Sequence, residues 1–191
     1  MVQNLKTSKY SNGDKIPKVS DTGSNWSNLS TGVFCYYNND SVSYNVTYGK
    51  LYDWYAVTDS RNICPSGWHV PSNSEWTTLQ NYVTQCTGLC GSGGGILNQL
   101  TETGTVHWAP PNSSPTNESG FTAFPGGIAY PIGAFDGLGN GGVWWSSSTT
   151  TFQNVNYGQS FYIDSANPGT PFSGSYSYTY NYGLSVRCVK N

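Results

Sequence analysis

From Tyr176 to Cys188 one parity of the chain is aromatic or aliphatic throughout: Tyr176, Tyr178, Tyr180, Tyr182, Leu184, Val186 and Cys188. A repeat of two belongs to extended backbone, where successive side chains point to opposite faces. Between them stand Ser177, Thr179, Asn181, Gly183, Ser185 and Arg187, so one face is expected to meet a core and the other water. The change from tyrosine to aliphatic residues divides that face. "GLSVRCVK" reads as a final core strand. Tyr176–Tyr182 reads either as rings that pack over apolar surface or as a row of contact residues, since tyrosine offers amphipathic area at low entropic cost.

Elsewhere the strongest periodic signal is helical. In "PSNSEWTTLQNYVTQ", Ser72 and Glu75 form a capping box after Pro71, and Trp76, Leu79, Gln80 and Val83 follow at spacings of three and four, which predicts a helix over 73–85. Shorter helices are expected at "YGKLYDWYAV" and "ILNQLTE". "QSFYIDS" reads as a strand, "ANPGTPFSG" as a turn region, and "GFTAFPGGIAY" and "GGVWWSSS" as strand ends meeting Gly-rich turns. The 191 residues, 36% hydrophobic, suffice for one substantial core. A single α+β domain over 1–191, with two main helices, small antiparallel sheets and long loops, is the expected architecture.

Charge excludes several partners. Lysine and arginine are absent from Asn62 to Val186, whereas nucleic-acid binding draws much of its affinity from basic side chains on phosphates. No apolar run approaches the ~20 residues of a bilayer span, and "MVQNLKTSKY" has no apolar signal core. Disorder is not expected, because 15% of the chain is aromatic and the net charge is only −2.

Recognisable catalytic chemistry is sparse. The two histidines are His69 and His107, and Cys64 near His69 reads as a structural cysteine beside a packed turn. Glu75, Glu102, Glu118, Asp136 and Asp164 could supply a carboxylate pair for glycoside hydrolysis, but their spacing selects no two of them. "GSGGG" at 91–95 lacks the Lys and Ser/Thr of a phosphate loop. Cys86 and Cys90 suit a local disulfide better than a zinc site. No cofactor is expected, although loop oxygens leave room for a structural calcium.

"NLKTSKYSNGDKIP", "CYYNND", "YGKLYDWYAV", "NICPSGWHVPSNSEW", "NESGFTAFPGG", "WWSSS" and "YGLSVRCVKN" occur in this order. Together they resemble the Fibrobacter succinogenes major paralogous domain, from about residue 3 to the C-terminus. The resemblance implies a secreted or surface-displayed bacterial domain with a C-type-lectin-like fold, related to the formylglycine-generating enzyme fold, with long loops on one binding face. It also implies a Cys64–Cys188 disulfide, which leaves Cys35 as the expected unpaired, buried thiol. Asn167-Pro168-Gly169 and Trp144-Trp145-Ser146 lack the carboxylates of calcium-dependent lectins. Cys188 stands alone where formylglycine-generating enzymes need a cysteine pair. Neither activity is expected.

The function read from these features is non-enzymatic recognition of a protein or glycan, as an adhesin-type module of a larger surface protein or pilus. The expected contact residues lie at 144–182: Trp145, Ser148, Thr150, Gln153, Asn154, Asn156, Tyr157, Tyr162, Asp164, Ser175, Tyr176, Tyr178, Tyr180 and Asn181. From Ser146 to Tyr182 the chain has no Lys, Glu, Met or Trp, and only Gln153 and Gln159 break the pattern expected of asparagine codons diversified by a retroelement. Two alternatives stand beside this reading: a structural envelope domain, and a carbohydrate-active enzyme with paired carboxylates.

Overall fold

The computed structural model describes residues 2–19, 26–86, 96–110, 115–166 and 176–191. Among them the chain is α+β, with four α-helices and small antiparallel sheets. In chain order, β1 (Phe34–Cys35) pairs with β2 (Leu51–Tyr52), and β3 (Trp68–His69) with β9 (Val189–Lys190). The strand β4 (Gly126–Ala129) pairs with β5 (Phe135–Leu138). A third strand, β8 (Tyr176–Tyr178), joins the long hairpin of β6 (Gly141–Phe152) and β7 (Val155–Asp164) in the order β6-β7-β8.

The segment expected to be one final strand is divided. Gly183 exchanges backbone bonds with Ala129, and Leu184 exchanges them with Tyr52. Ser185 lies parallel to Trp144, accepting from Trp145 N and donating to Val143 O. Successive residues therefore join β4, β2 and β6, and no continuous ladder forms before β9. Leu5 N donates to Val186 O, which brings the N-terminal segment to the same seam. Leu184, Val186 and Cys188 are buried in a cluster with Leu5, Tyr52, Trp54 and Trp145, and Tyr178, Tyr180 and Tyr182 pack against it. The period-two pattern thus marks one core-facing side that becomes shallower toward Tyr176.

The capping box forms as read. Ser72 Oγ accepts from Glu75 N at 3.3 Å, and Glu75 Oε2 accepts from Ser72 N at 2.8 Å, opening α3 (Asn73–Cys86). Trp76 stacks on Phe161 at 4.3 Å and 12°, in a second cluster that includes Val83, Trp108 and Trp144. The short helix α4 (Ile96–Leu100) matches the expectation at "ILNQLTE".

The expected helix at "YGKLYDWYAV" is β2 followed by a single turn, α2 (Trp54–Val57). Gly49 has φ 77°, a left-handed conformation that favours glycine and interrupts the helical pattern. The helix α1 instead precedes it at Ser41–Tyr48, started by Asp40, whose Oδ1 accepts from Val42 N and Ser43 N. Two β-branched valines and three Ser/Thr residues in eight positions hide this helix from propensity; the acidic cap is its signal.

Cys64 and Cys188 are bonded, with Cα atoms 5.9 Å apart and a separation of 124 residues. Cys35 is free and buried, and burial pushes its thiol pKa well up. The expected Cys86–Cys90 bridge concerns a pair outside the described residues. Arg187 is 1% exposed. It donates from Nε to Asn4 Oδ1 at 2.9 Å, from Nη1 to Phe121 O and from Nη2 to Thr122 O at 2.7 Å, with its guanidinium 4.1 Å over the Phe121 ring. Neutral acceptors and an aromatic face thus hold the buried cation, and burial lowers its pKa to about 9.

Candidate functional site

The β6–β7 hairpin changes character at Ser146–Ser148. Trp145 opposes Ser160 and Thr149 opposes Gly158, so β6 carries an irregularity between them. Its polar groups are met locally. Ser147 N donates to Pro71 O at 2.8 Å, Ser148 N to Ser146 Oγ at 3.1 Å, and Asn73 N to Ser148 Oγ at 3.0 Å. The bulge therefore ties the hairpin to the start of α3. Below it, Val143, Trp144 and Trp145 are core residues; beyond it, Thr151–Asn156 are all exposed.

The outer part is an ordered arm. Thr149↔Gly158, Thr150↔Tyr157, Thr151↔Asn156 and Phe152↔Val155 remain paired. Gln153 and Asn154 close it with φ of 48° and 61°, the doubly left-handed two-residue turn that matches strand twist. Thr151 Oγ1 donates to Asn156 Oδ1 at 2.7 Å. Phe152 is 63% exposed and Val155 45%, placing apolar surface at the tip. At the base, Gly158 passes so close to the core that a Cβ there would lie 2.5 Å from the Trp54 ring and 2.7 Å from the Trp145 ring.

β8 lies along β7, with Gly158↔Tyr178, Gln159↔Ser177 and Ser160↔Tyr176 in register. Tyr176 is 49% exposed and meets Tyr162 edge-on at 5.2 Å. Tyr178 lies edge-on to Trp145 and contacts Tyr182, which contacts Tyr130. Tyr180 stacks on Trp54 at 5.6 Å and 19°, and lies edge-on to Tyr55 at 5.6 Å. Burial, then the neighbouring tyrosines, raises the Tyr178 pKa to about 12; burial, then the Asp164 charge, raises that of Tyr162.

The expected contact residues separate accordingly. Gln153, Asn154, Asn156 and Tyr176 are exposed; Ser148, Thr150, Tyr157, Tyr162, Asp164, Tyr178, Tyr180 and Asn181 are half-buried. Within that second group, Ser148 is engaged at α3, and Asp164 Oδ1 accepts from Ala166 N. Asn181 Nδ2 donates to Trp26 O and Leu29 O, both at 2.8 Å, clamping another loop. Trp145 corrects the expectation: it is fully buried, and its Nε1 donates to Tyr52 O at 2.7 Å. Lying on the core side of the bulge, it presents no face to a ligand. Ser175 and the Asn167-Pro168-Gly169 triplet lie outside the described residues. Phe152, Val155 and Tyr55 were missed by sequence reasoning; the "QN" turn centred in alternating residues was the available signal for the first two.

The named carboxylates have local partners. Glu75 contacts Ser72 and His69, Glu102 accepts from His107 at 2.6 Å, and Asp136 contacts Tyr130 and its neighbouring backbone. Among the described residues no group of three or more His, Cys, Asp or Glu side chains comes together to hold a metal, and no helix is long and apolar enough to cross a membrane.

A family model described as the Fibrobacter succinogenes major domain matches residues 1–190. No curated protein and no solved structure matches the chain.

Proposed function

We propose that this chain, which belongs to the Fibrobacter succinogenes major domain family, is a non-enzymatic recognition module with a C-type-lectin-like fold. It acts at the bacterial surface as part of a larger adhesin or pilus protein. Its contact surface is the arm beyond the Ser146–Ser148 bulge together with Tyr176 and the exposed edges of Tyr162, Tyr178 and Tyr180. The arm carries this reading: it is exposed on both strands, closed by a two-residue turn, and ends in exposed Phe152 and Val155. Such a surface combines order before binding with aromatic and amide groups that suit a protein or glycan.

The non-enzymatic reading is supported by the local partners of Glu75, Glu102 and Asp136. Membership in a retroelement-diversified class is part of the proposal, with substitutions concentrated at 149–157 and at Tyr176. A structural role is favoured for Tyr180 and Tyr182 by their packing on the core cluster, so the surface is narrower than the whole tyrosine row.

The test uses an array of host glycans and surface proteins probed with the tagged domain and with a Phe152→Ser/Asn156→Ala/Tyr176→Ser variant. The expected result is a specific signal lost in the variant while its melting temperature is kept. Equal signals from the two proteins, or no signal from either, refute the assignment of this surface. Uniform variation along the gene among isolates removes the diversification claim.

A further inference from the structure

A separate open cleft of about 400 Å³ lies across the Tyr55–Tyr180 contact from the hairpin. It is lined by Lys15, Pro17, Ser30, Thr31, Gly32, Tyr55, Asp59 and Arg61. Its size falls within the range of small-molecule sites, but it lacks the predominantly apolar lining typical of them. Tyr55 and Pro17 supply hydrophobic surface, and hydroxyl and charged groups surround them. That balance suits a ligand with hydroxyls around its edge and C–H groups on its faces.

The polar groups are held in advance. Arg61 donates from Nε to Asp59 Oδ1 and from Nη2 to Asp59 Oδ2, both at 2.8 Å, and from Nη1 to Asp14 Oδ2 at 3.2 Å. Its guanidinium lies 4.1 Å over the Tyr10 ring. Asp59 is thereby kept ionised, with its pKa lowered to about 2 chiefly by the Arg61 hydrogen bond. Beneath the cleft, a Cβ on Gly32 would lie 2.2 Å from Tyr10 Oη and 2.7 Å from Ala56 Cα. The glycine is required by that close approach. Tyr10 is 3% exposed, and its hydroxyl has no hydrogen-bond partner.

The charges do not balance. Asp59 and Asp14 both pair with Arg61, whereas Lys15 has no carboxylate partner among the described residues. Ser30 and Thr31 are exposed, and their hydroxyls make no hydrogen bond to the described protein. The free functional groups are therefore an ammonium, two hydroxyls and the outward oxygen edge of a clamped carboxylate, around one aromatic ring. We propose that the cleft binds a single carboxylate-bearing pyranose of the uronic-acid type. The sugar carboxylate lies at Lys15, its C–H face on Tyr55, and its hydroxyls are shared by Asp59, Ser30 and Thr31. This site stands on its own groups and does not require that the hairpin arm bind anything.

The experiment follows backbone amide shifts of the full chain during titration with glucuronate, glucose and acetate. Glucuronate is expected to saturate shifts at Ser30, Thr31, Gly32 and Arg61 in the millimolar range. Glucose should bind roughly tenfold more weakly, as expected from losing one hydrogen bond to a charged group, and acetate should leave the glucuronate curve unchanged. Lys15→Gln should bring glucuronate to the level of glucose. Thr31→Trp, at an exposed position, should fill the cleft and abolish both. Equal affinity for the two sugars in the wild type overturns the acidic assignment. Competition by acetate reduces the site to a point charge, and glucuronate shifts that persist in Thr31→Trp place binding elsewhere; either result overturns the proposal. So does the absence of any shift in the cleft with excess sugar.

Discussion

Tyr176 and Tyr180 share one parity of the sequence and differ in what their rings touch, so paired substitutions by serine test how that face is divided. Tyr180 is half-buried, stacked on Trp54 and edge-on to Tyr55. Each aromatic contact contributes about 0.5–1.5 kcal/mol beyond area burial, and partial loss of ring burial adds about 1 kcal/mol. Tyr180→Ser should therefore cost about 3 kcal/mol. The backbone bond from Trp54 N to Tyr180 O survives the change and moderates the loss. Tyr176 is half exposed and has one edge contact, with Tyr162, so Tyr176→Ser should cost about 1 kcal/mol. In a domain of this size ~1 kcal/mol moves Tm by about 2–4 °C, and the two variants should melt ~4–8 °C apart. Differential scanning calorimetry of both, with urea denaturation as a second measure, makes the comparison without a ligand. Equal melting temperatures, or a larger loss for Tyr176→Ser, would refute the division of the tyrosine row into an anchored inner part and an open outer part.

Three further outcomes are expected. Replacing Cys64 and Cys188 together by alanine should cost about 2–5 kcal/mol, because the bond closes a long loop in the unfolded chain; a denaturation midpoint unchanged from the oxidised protein would contradict this. His69 faces acceptors with both ring nitrogens, Asn191 Oδ1 at 2.7 Å and Glu75 Oε1 at 2.8 Å. Asn191 and then Glu75 raise its pKa, while Glu75, despite partial burial, is held low by Ser72 and His69. The histidine term is fully present below its unfolded pKa and lost as pH rises through the folded value. The glutamate term is present above its unfolded pKa and lost as pH falls through its folded value. The pair should thus contribute most between about pH 4.5 and 6.5. Exposure limits the effect to a few tenths of a kcal/mol, and an NMR titration placing His69 at or below its ordinary pKa would disprove it. Finally, Arg187→Lys cannot reproduce the guanidinium fork and leaves buried carbonyls unmet, at a cost of at least ~2 kcal/mol; a thermal melt within about 2 °C of wild type would refute that account.

Local rules were legible where their partners lie nearby in sequence. Ser72 and Glu75 are three residues apart, and their capping box formed at the expected place. The core parity of Leu184, Val186 and Cys188 was also legible, because period two survives even when backbone pairing changes partner. The partners themselves were not, since Tyr52, Ala129 and Trp144 reach the 183–185 segment only in three dimensions. Likewise, "WWSSS" reads as a strand end, but nothing local says that Pro71 and Asn73 would tie its bulge to a helix. That contact decides that Trp145 is buried while Phe152, seven residues on, is exposed. The cleft was harder still, joining Lys15, Thr31, Tyr55 and Arg61 from four separate stretches.

The Cys64–Cys188 bond has a mechanical consequence. Tension entering near the last residues meets only the short β9 pairing before it reaches Cys188, and the covalent bridge then passes it to Cys64. The chain between them, hairpin arm and tyrosines included, is bypassed and remains slack. If the domain is stretched end to end, that segment contributes no extension until the bridge is reduced, when roughly 400 Å of hidden contour length becomes available. Single-molecule stretching in oxidising and reducing buffer reads this directly, and equal extensions in the two would disprove it. For a module held at a surface while its ligand pulls away, the reach of the tether would then depend on the redox state of one bond.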